Sequence, residues 1–216
     1  MIGDQIHIAP EYYATSLALY QHFHKIYPRP NKIVIAIAGE SGSGKSVTAT
    51  CFKRVLNNHD IPTITVHMDD FFHLPPHTNH MHRLASFDNV GYQEVAIDKL
   101  SELIQQFKSD APSAEKPLVH YDDNNITLET IQFESIEVLI IEGTYSFLAT
   151  GIDLKIFMER DFKQTKTDRI ERNRGNESND PFVEKVLEKE HTLIAPFIHQ
   201  ADLLICTDFS VKQLVL

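Results

Sequence analysis

Apolar residues recur along this chain in two alternating rhythms. Short runs rich in β-branched residues predict buried strands at 32–38 (KIVIAIA), 64–72 (ITVHMDDFF), 138–143 (VLIIEG), 154–160 (LKIFMER) and 201–207 (ADLLICT). Between them, apolar positions three and four apart predict amphipathic helices. The first, Pro10–Ile26, carries Tyr13, Leu17, Tyr20 and Phe23 and stops before Pro28 and Pro30. A second over 47–56 places Val47, Cys51, Val55 and Leu56 on one face. A third over 92–107 carries Val95, Ala96, Leu100, Leu103, Ile104 and Phe107. A basic, polar helix is expected over 163–174, and a last one over 182–198 is interrupted near Pro196. Residues 73–89, polar and broken by Pro75 and Pro76, read as a loop, and 112–125 as irregular. Strands alternating with helices predict an α/β fold: three α/β/α layers around a five-stranded parallel sheet. Ligands of such sheets gather beyond the carboxyl ends of the strands.

The turn between the first strand and its helix carries the strongest chemical signal. GESGSGKS, residues 39–46, fits G-x-x-x-x-G-K-[ST] with a buried strand before it and an amphipathic helix after it. Gly39, Gly42 and Gly44 permit backbone conformations that a side chain hinders. Successive N–H groups of Gly39, Glu40, Ser41, Gly42, Ser43, Gly44, Lys45, Ser46 and Val47 and the helix N-terminus then form an anion cradle. Lys45 is expected to reach the β- and γ-phosphates of ATP and Ser46 to ligate Mg²⁺.

Composition narrows the class without changing that reading. The 216 residues suffice for one sizeable core, so residues 1–216 are taken as a single domain. An apolar content of 42% and a mean hydropathy of −0.23 fit a soluble globular protein. No basic segment followed by an apolar stretch marks the N-terminus, and the cytoplasm is the expected compartment. Cys51 and Cys206 read as small buried hydrophobes. A net charge of −10 argues against nucleic acid and membrane surfaces as partners. It also requires cations to be concentrated wherever a polyphosphate binds. Lys45 is one such point and the segment 160–174 the other.

Acidic residues close two of the strands. Asp69 and Asp70 end the second, and Glu142 ends the third. An Asp at a strand tip can take the proton of an acceptor hydroxyl, and Glu142 can hold Mg²⁺ directly or through water. The alternative for Asp69 and Asp70 is helix capping or simple solvation.

With these motifs in order, the chain resembles the phosphoribulokinase/uridine kinase family of P-loop kinases. The resemblance rests on the phosphate loop, DDFF at 69–72, SFDN at 86–89, PLVHYD ending at Asp122, IIEG at 140–143, LKIFMERD at 154–161 and RIERNRG at 169–175. It covers residues 30–207 and implies an ATP-dependent kinase with a small lid at 160–180. It also implies that Asp69 acts near the acceptor hydroxyl as base and that Asp88 binds the acceptor's sugar hydroxyls. Tyr121 would lie against the acceptor, Glu142 near the metal, and Arg169, Arg172 and Arg174 on the phosphates. Phe72 is a candidate wall of the acceptor pocket. Past Tyr121 the chain reads YDDNNIT, without the His and Arg that help define a nucleoside site in uridine kinases.

Two other motifs carry less. His73, His77, His80 and His82 lie close in sequence but lack a helical frame and a Cys, so metal binding is not expected, and they read as substrate contacts or a solvated loop. DNVG at 88–91 mimics a GTPase element, but no apolar strand precedes it and no N-K-x-D follows. The expected activity is Mg²⁺-dependent transfer from ATP to a hydroxyl of a small molecule, a nucleoside such as uridine first. Kinases of pantothenate-like, vitamin riboside or sugar phosphate acceptors, and a catalytically silent ATP-binding regulator, stay open. A homo-oligomer is compatible with the sequence.

Overall fold

A computed structural model of the chain describes residues 9–171 and 180–214. In chain order its elements are α1 (Pro10–Ile26), β1 (Ile33–Gly39), α2 (Lys45–Asn58), β2 (Thr63–His67), α3 (Pro76–Ala85), α4 (Ile97–Lys108), β3 (Ser113–His120) and β4 (Asn125–Gln132). Then follow β5 (Val138–Glu142), β6 (Leu154–Met158), α5 (Lys166–Glu171), α6 (Pro181–Ile194), β7 (Leu203–Ile205) and β8 (Val211–Gln213). The main sheet has the order β2-β5-β1-β6-β7-β8. β2, β5, β1, β6 and β7 are mutually parallel, as the apolar runs predict. The sheet nonetheless has six strands rather than five, because β8 turns back and pairs antiparallel with β7. Three residues of mixed polarity, VKQ, are too short to show a periodic signal.

Residues of β1 alternate between two cores, which is what a strand covered on both faces requires. Ile35 and Ile37 pack with Leu19 and Phe23 of α1 and Ala49, Phe52 and Leu56 of α2. Val34, Ala36 and Ala38 pack on the other face with Leu100, Leu103, Ile104 and Phe107 of α4 and with Ile194 and Phe197. Each such fully buried aliphatic or aromatic side chain is worth about 1.5–3 kcal/mol, so these two cores fix the sheet and hence the positions of its strand tips. Cys51 and Cys206 are buried free thiols.

Several expected elements differ. The apolar face of α1 is not Tyr13 and Leu17, which stand 44% and 37% exposed, but Thr15, Ser16, Leu19 and Phe23. Hydroxyls reach the interior there because they bond backbone: Thr15 Oγ1 donates to the Phe209 carbonyl at 2.8 Å and Ser16 Oγ to that of Tyr12 at 2.7 Å. The second strand ends at His67, and Met68–Phe71 tightens into a 3-10 turn. Residues 73–89 are not a loop: Pro76 opens α3 at a first-turn position, where its fixed φ and missing N–H suit a helix start. His77, His80 and His82 therefore do have a helical frame, although no group of three or more potential metal ligands gathers among the described residues. α4 is preceded by a separate 3-10 turn, Tyr92–Glu94, and α6 gives way to another, Ala195–Gln200, around Pro196.

The segment read as irregular forms, with the residues after it, the β3–β4 hairpin, in register from Ser113↔Gln132 to His120↔Asn125. Its inward positions include a charge, which breaks the usual alternation. Lys116, 4% exposed, donates from Nζ to Asp70 Oδ2 at 2.7 Å, and the Val119 N–H donates to Asp70 Oδ1 at 3.0 Å. Asp70 thereby fastens the hairpin to the end of β2. Burial raises its carboxyl pKa, but the Lys116 bond and the Val119 N–H outweigh it and hold the group below its usual value. Its contribution to stability is present above the unfolded carboxylate value of about 3.9 and is lost as pH falls through the lower folded one. Lys116→Ala should destabilise the chain by about 2–3 kcal/mol in denaturant unfolding at neutral pH, since the buried Asp70 carboxylate loses the ammonium partner while the Val119 N–H stays. A shift below roughly 0.5 kcal/mol would show the pair to be dispensable.

Candidate active site

The strand order brings three acidic or phosphate-binding tips side by side. Glu142 at the end of β5 is level with Ile37 of β1 on one side and His67 of β2 on the other. Beyond β1 the loop 39–46 turns into α2. Gly42 adopts φ +80° and Gly44 φ +100°, conformations that favour glycine, and α2 starts directly after Gly44. Space is as restrictive as backbone angle. A Cβ on Gly42 would lie 2.7 Å from Arg169 Cγ, and one on Gly44 2.5 Å from the Tyr12 hydroxyl. Lys45 Nζ donates to the Glu40 carbonyl at 2.9 Å, across the loop. Val47 is buried, so only its backbone N–H is available to an anion. The Glu40 carboxylate is committed elsewhere: Oε2 accepts from the Phe162 N–H at 2.7 Å, and Oε1 from His191 Nδ1 at 2.5 Å.

Ser46 Oγ and Glu142 meet at 3.1 Å, and His67 Nδ1 donates to the same Glu142 oxygen at 2.5 Å. Burial raises the Glu142 pKa, and the His67 bond, the His67 and Lys45 charges and Ser46 together pull it below its ordinary value, leaving an ionised carboxylate 4% exposed. A hydroxyl and a carboxylate beside a phosphate cradle are the hard oxygen donors that suit Mg²⁺ held chiefly by phosphates and water.

On the other side of the loop lies a cavity of about 220 Å³. Ser41 of the phosphate loop, Asp69 of the turn after β2 and Thr144 after β5 border it together with Phe72 and Tyr121. Asp69 and Asp70, neighbours in sequence, thus have different fates, because a 3-10 turn rotates successive side chains by about 120°. Arg169 lies over the loop: its guanidinium donates to the Phe162 carbonyl, to Thr165 Oγ1 at 3.0 Å and to Glu184 at 3.3 Å. Thr165 Oγ1 in turn donates to the Ser41 carbonyl at 3.1 Å, so the first half of the expected lid rests on the phosphate loop. Arg172 and Arg174 lie outside the described residues. Asp88 is exposed on the short turn Phe87–Asn89 and is not among the residues bordering the cavity.

A model of the family described as phosphoribulokinase/uridine kinase matches residues 34–211. The chain belongs to that family. It is accordingly an ATP-dependent small-molecule kinase, as the resemblance implies. The α1 helix, which supplies Tyr12 beside Gly44, precedes the matched family region. Similar family relatives include the uridine kinase of Bacillus subtilis, 32% identical over 181 residues that make up 79% of this chain and 80% of that protein. Another is the bifunctional alpha-galactosidase/sucrose kinase AgaSK of Mediterraneibacter gnavus, 30% identical over 195 residues, or 85% of this chain. The matched stretch spans only 21% of that longer protein. Among solved structures, a possible uridine kinase from Bacillus stearothermophilus superposes with a TM-score of 0.66 at 16% identity, covering 88% of this chain and 97% of that one, which is a likeness of fold.

Sequence reasoning missed the far wall of the cavity. Asn79 and Arg83 of α3 and Val183, Val186, Leu187 and Glu190 of α6 border it, beside His80, for which substrate contact is one of two sequence readings. No sequence pattern exposes Asn79 and Arg83, because the helix that carries them is short and polar. For Glu190 a signal existed: it falls four residues after Val186 and four before Ile194, inside the buried stripe of its helix.

Proposed function

We propose that this chain transfers the γ-phosphoryl group of ATP to a sugar hydroxyl of a small acceptor, a nucleoside such as uridine being the first candidate. One observation carries the reading: a single cavity is bordered both by Ser41 of the phosphate loop and by Asp69, so a donor in the loop and an acceptor in the cavity would share a boundary. Asp69 takes the proton of the attacking hydroxyl while that oxygen bonds to the γ-phosphorus and the bond to the departing ADP oxygen breaks. Lys45 and Arg169 offset charge on the moving group, with Arg172 and Arg174 assigned the same task by family resemblance. Ser46 and Glu142 would hold Mg²⁺, which would supply charge neutralisation to the ATP phosphates. Phe72 and Tyr121 supply apolar surface to the acceptor.

A free sugar is the second reading. It is favoured by the polar wall of Asn79, His80, Arg83 and Glu190 and by likeness to a protein named as a sucrose kinase. Coupled ADP release should separate them, using ATP with uridine, cytidine, fructose, sucrose, pantothenate and a pentose phosphate. ADP release that depends on uridine or cytidine supports the first reading, and release with fructose or sucrose the second. ATP binding without acceptor-dependent ADP release from any of them would leave a silent nucleotide-binding protein and end the proposal.

A further inference from the structure

Among the described residues that border the cavity are two carboxylates, Asp69 and Glu190, and one guanidinium, Arg83. Arg83 donates to Glu94 through Nε at 2.5 Å and Nη2 at 2.9 Å, and through Nη2 to Glu190 Oε1 at 3.0 Å. Glu94 is further bonded by Asn79 Nδ2 at 2.9 Å and by the Gly91 N–H at 2.8 Å, so its oxygens are well supplied. Glu190 is not comparably supplied. It is 8% exposed and borders the cavity, and its hydrogen bond from Arg83 goes to one oxygen of a group with about four acceptor sites. A buried carboxylate with unfilled acceptor sites is costly. Burial accordingly pushes the Glu190 carboxyl above its ordinary pKa, with Arg83 opposing and Glu94 adding to the rise. Nearby, the buried Tyr145 hydroxyl has no hydrogen-bond partner among the described residues, and its ionisation is opposed by burial and by the charge of Glu190.

We propose that Glu190 is an acceptor-binding residue that receives hydrogen bonds from acceptor hydroxyls, and that the cavity selects a neutral, hydroxyl-rich acceptor over an anionic one. The inference rests on the kinase reading above and adds the class of acceptor. Hydroxyl groups bring the donors that Glu190 needs. A phosphate or carboxylate on the acceptor brings none and would meet Asp69 and Glu190 beside Arg83, whose Nε and Nη2 N–H groups are already directed at Glu94 and Glu190. Like charges in a partly desolvated cavity repel strongly, which makes this arrangement a means of rejecting the wrong acceptor. Lys45 adds a cation close enough to act on Glu190, but it belongs to the phosphate loop and to ATP. His80 borders the same cavity, with its ring against Phe182 at 5.8 Å.

The test compares uridine, fructose and sucrose with uridine monophosphate and fructose phosphate as acceptors, in wild type and in Glu190→Gln. Glutamine keeps the side-chain volume and can still accept from Arg83. A neutral acceptor should be used with a kcat/KM at least roughly tenfold above its phosphorylated counterpart, and Glu190→Gln should raise that acceptor's KM roughly tenfold, the scale of a hydrogen bond to a charged group. The KM for ATP should stay within about twofold, because Glu190 is assigned no contact with the nucleotide. Preference for a phosphorylated acceptor, an unchanged acceptor KM, or an equal rise in both KM values would each overturn the inference while leaving a kinase. No turnover, and no calorimetric binding of any acceptor, would overturn the kinase reading and this inference with it.

Discussion

Lys45→Ala should lower kcat by at least about 100-fold while leaving the chain folded, the scale expected when a preorganised charge is removed from a developing anion. Lys45 is placed for this by what surrounds it. It is the first residue of α2, directly after Gly44, whose φ of +100° turns the chain so that the helix N-terminus follows the cradle without a gap. Its ammonium bonds the Glu40 carbonyl on the far arm of the loop, and its charge acts on both Glu142 and Glu190. It thus sits electrostatically between the magnesium-binding candidates and the acceptor cavity. Alanine removes that charge without altering the backbone angles that shape the cradle, and alanine is the best helix former. The loss should therefore fall on turnover more than on folding, read as steady-state kcat beside thermal unfolding. Turnover within tenfold of wild type would mean that the phosphoryl group moves elsewhere.

What the sequence made legible and what it hid divide along a physical line. Buried parallel strands are apolar on both faces, so β1, β5, β6 and β7 stood out as runs, and the loop after β1 is constrained enough to have a signature of its own. Features that depend on long-range pairing left no local trace. Lys116 looks like a break in a strand until Asp70, 46 residues earlier, neutralises it. Arg83 looks like one more polar residue in a histidine-rich stretch until Glu94 and Glu190 converge on it. Thr15 and Ser16 look like the wet face of α1 until their hydroxyls find carbonyls. In each case the polar group is buried because a partner distant in sequence satisfies it, and periodicity reads such a group as solvent-facing. The same blindness affected the acceptor side. Tyr121 and Phe72 carry a motif and border the cavity, whereas Asn79, Arg83 and Glu190, which carry none, border it as well.

Asp69→Asn should reduce kcat by at least about 100-fold, since a positioned general base contributes on the order of 10²–10⁴. The substitution is close to isosteric. It keeps a polar group at the cavity mouth, so acceptor and nucleotide should still be held, and what disappears is the capacity to take up a proton. The expected signature is a fall in kcat with the KM for ATP within about twofold, because an interaction realised chiefly in the transition state is being removed. Asp70 supplies the internal contrast. It is the adjacent residue with the same side chain, yet it is fully buried against Lys116 and Val119, so Asp70→Asn should act through the stability of the hairpin attachment. If the two variants lost turnover alike and in proportion to stability, the turn after β2 would be a structural hinge with no base in it. If Asp69→Asn kept full turnover, the proton of the acceptor hydroxyl would have to leave by another route, and the cavity between Ser41 and Asp69 would lose its claim to be where the hydroxyl is activated.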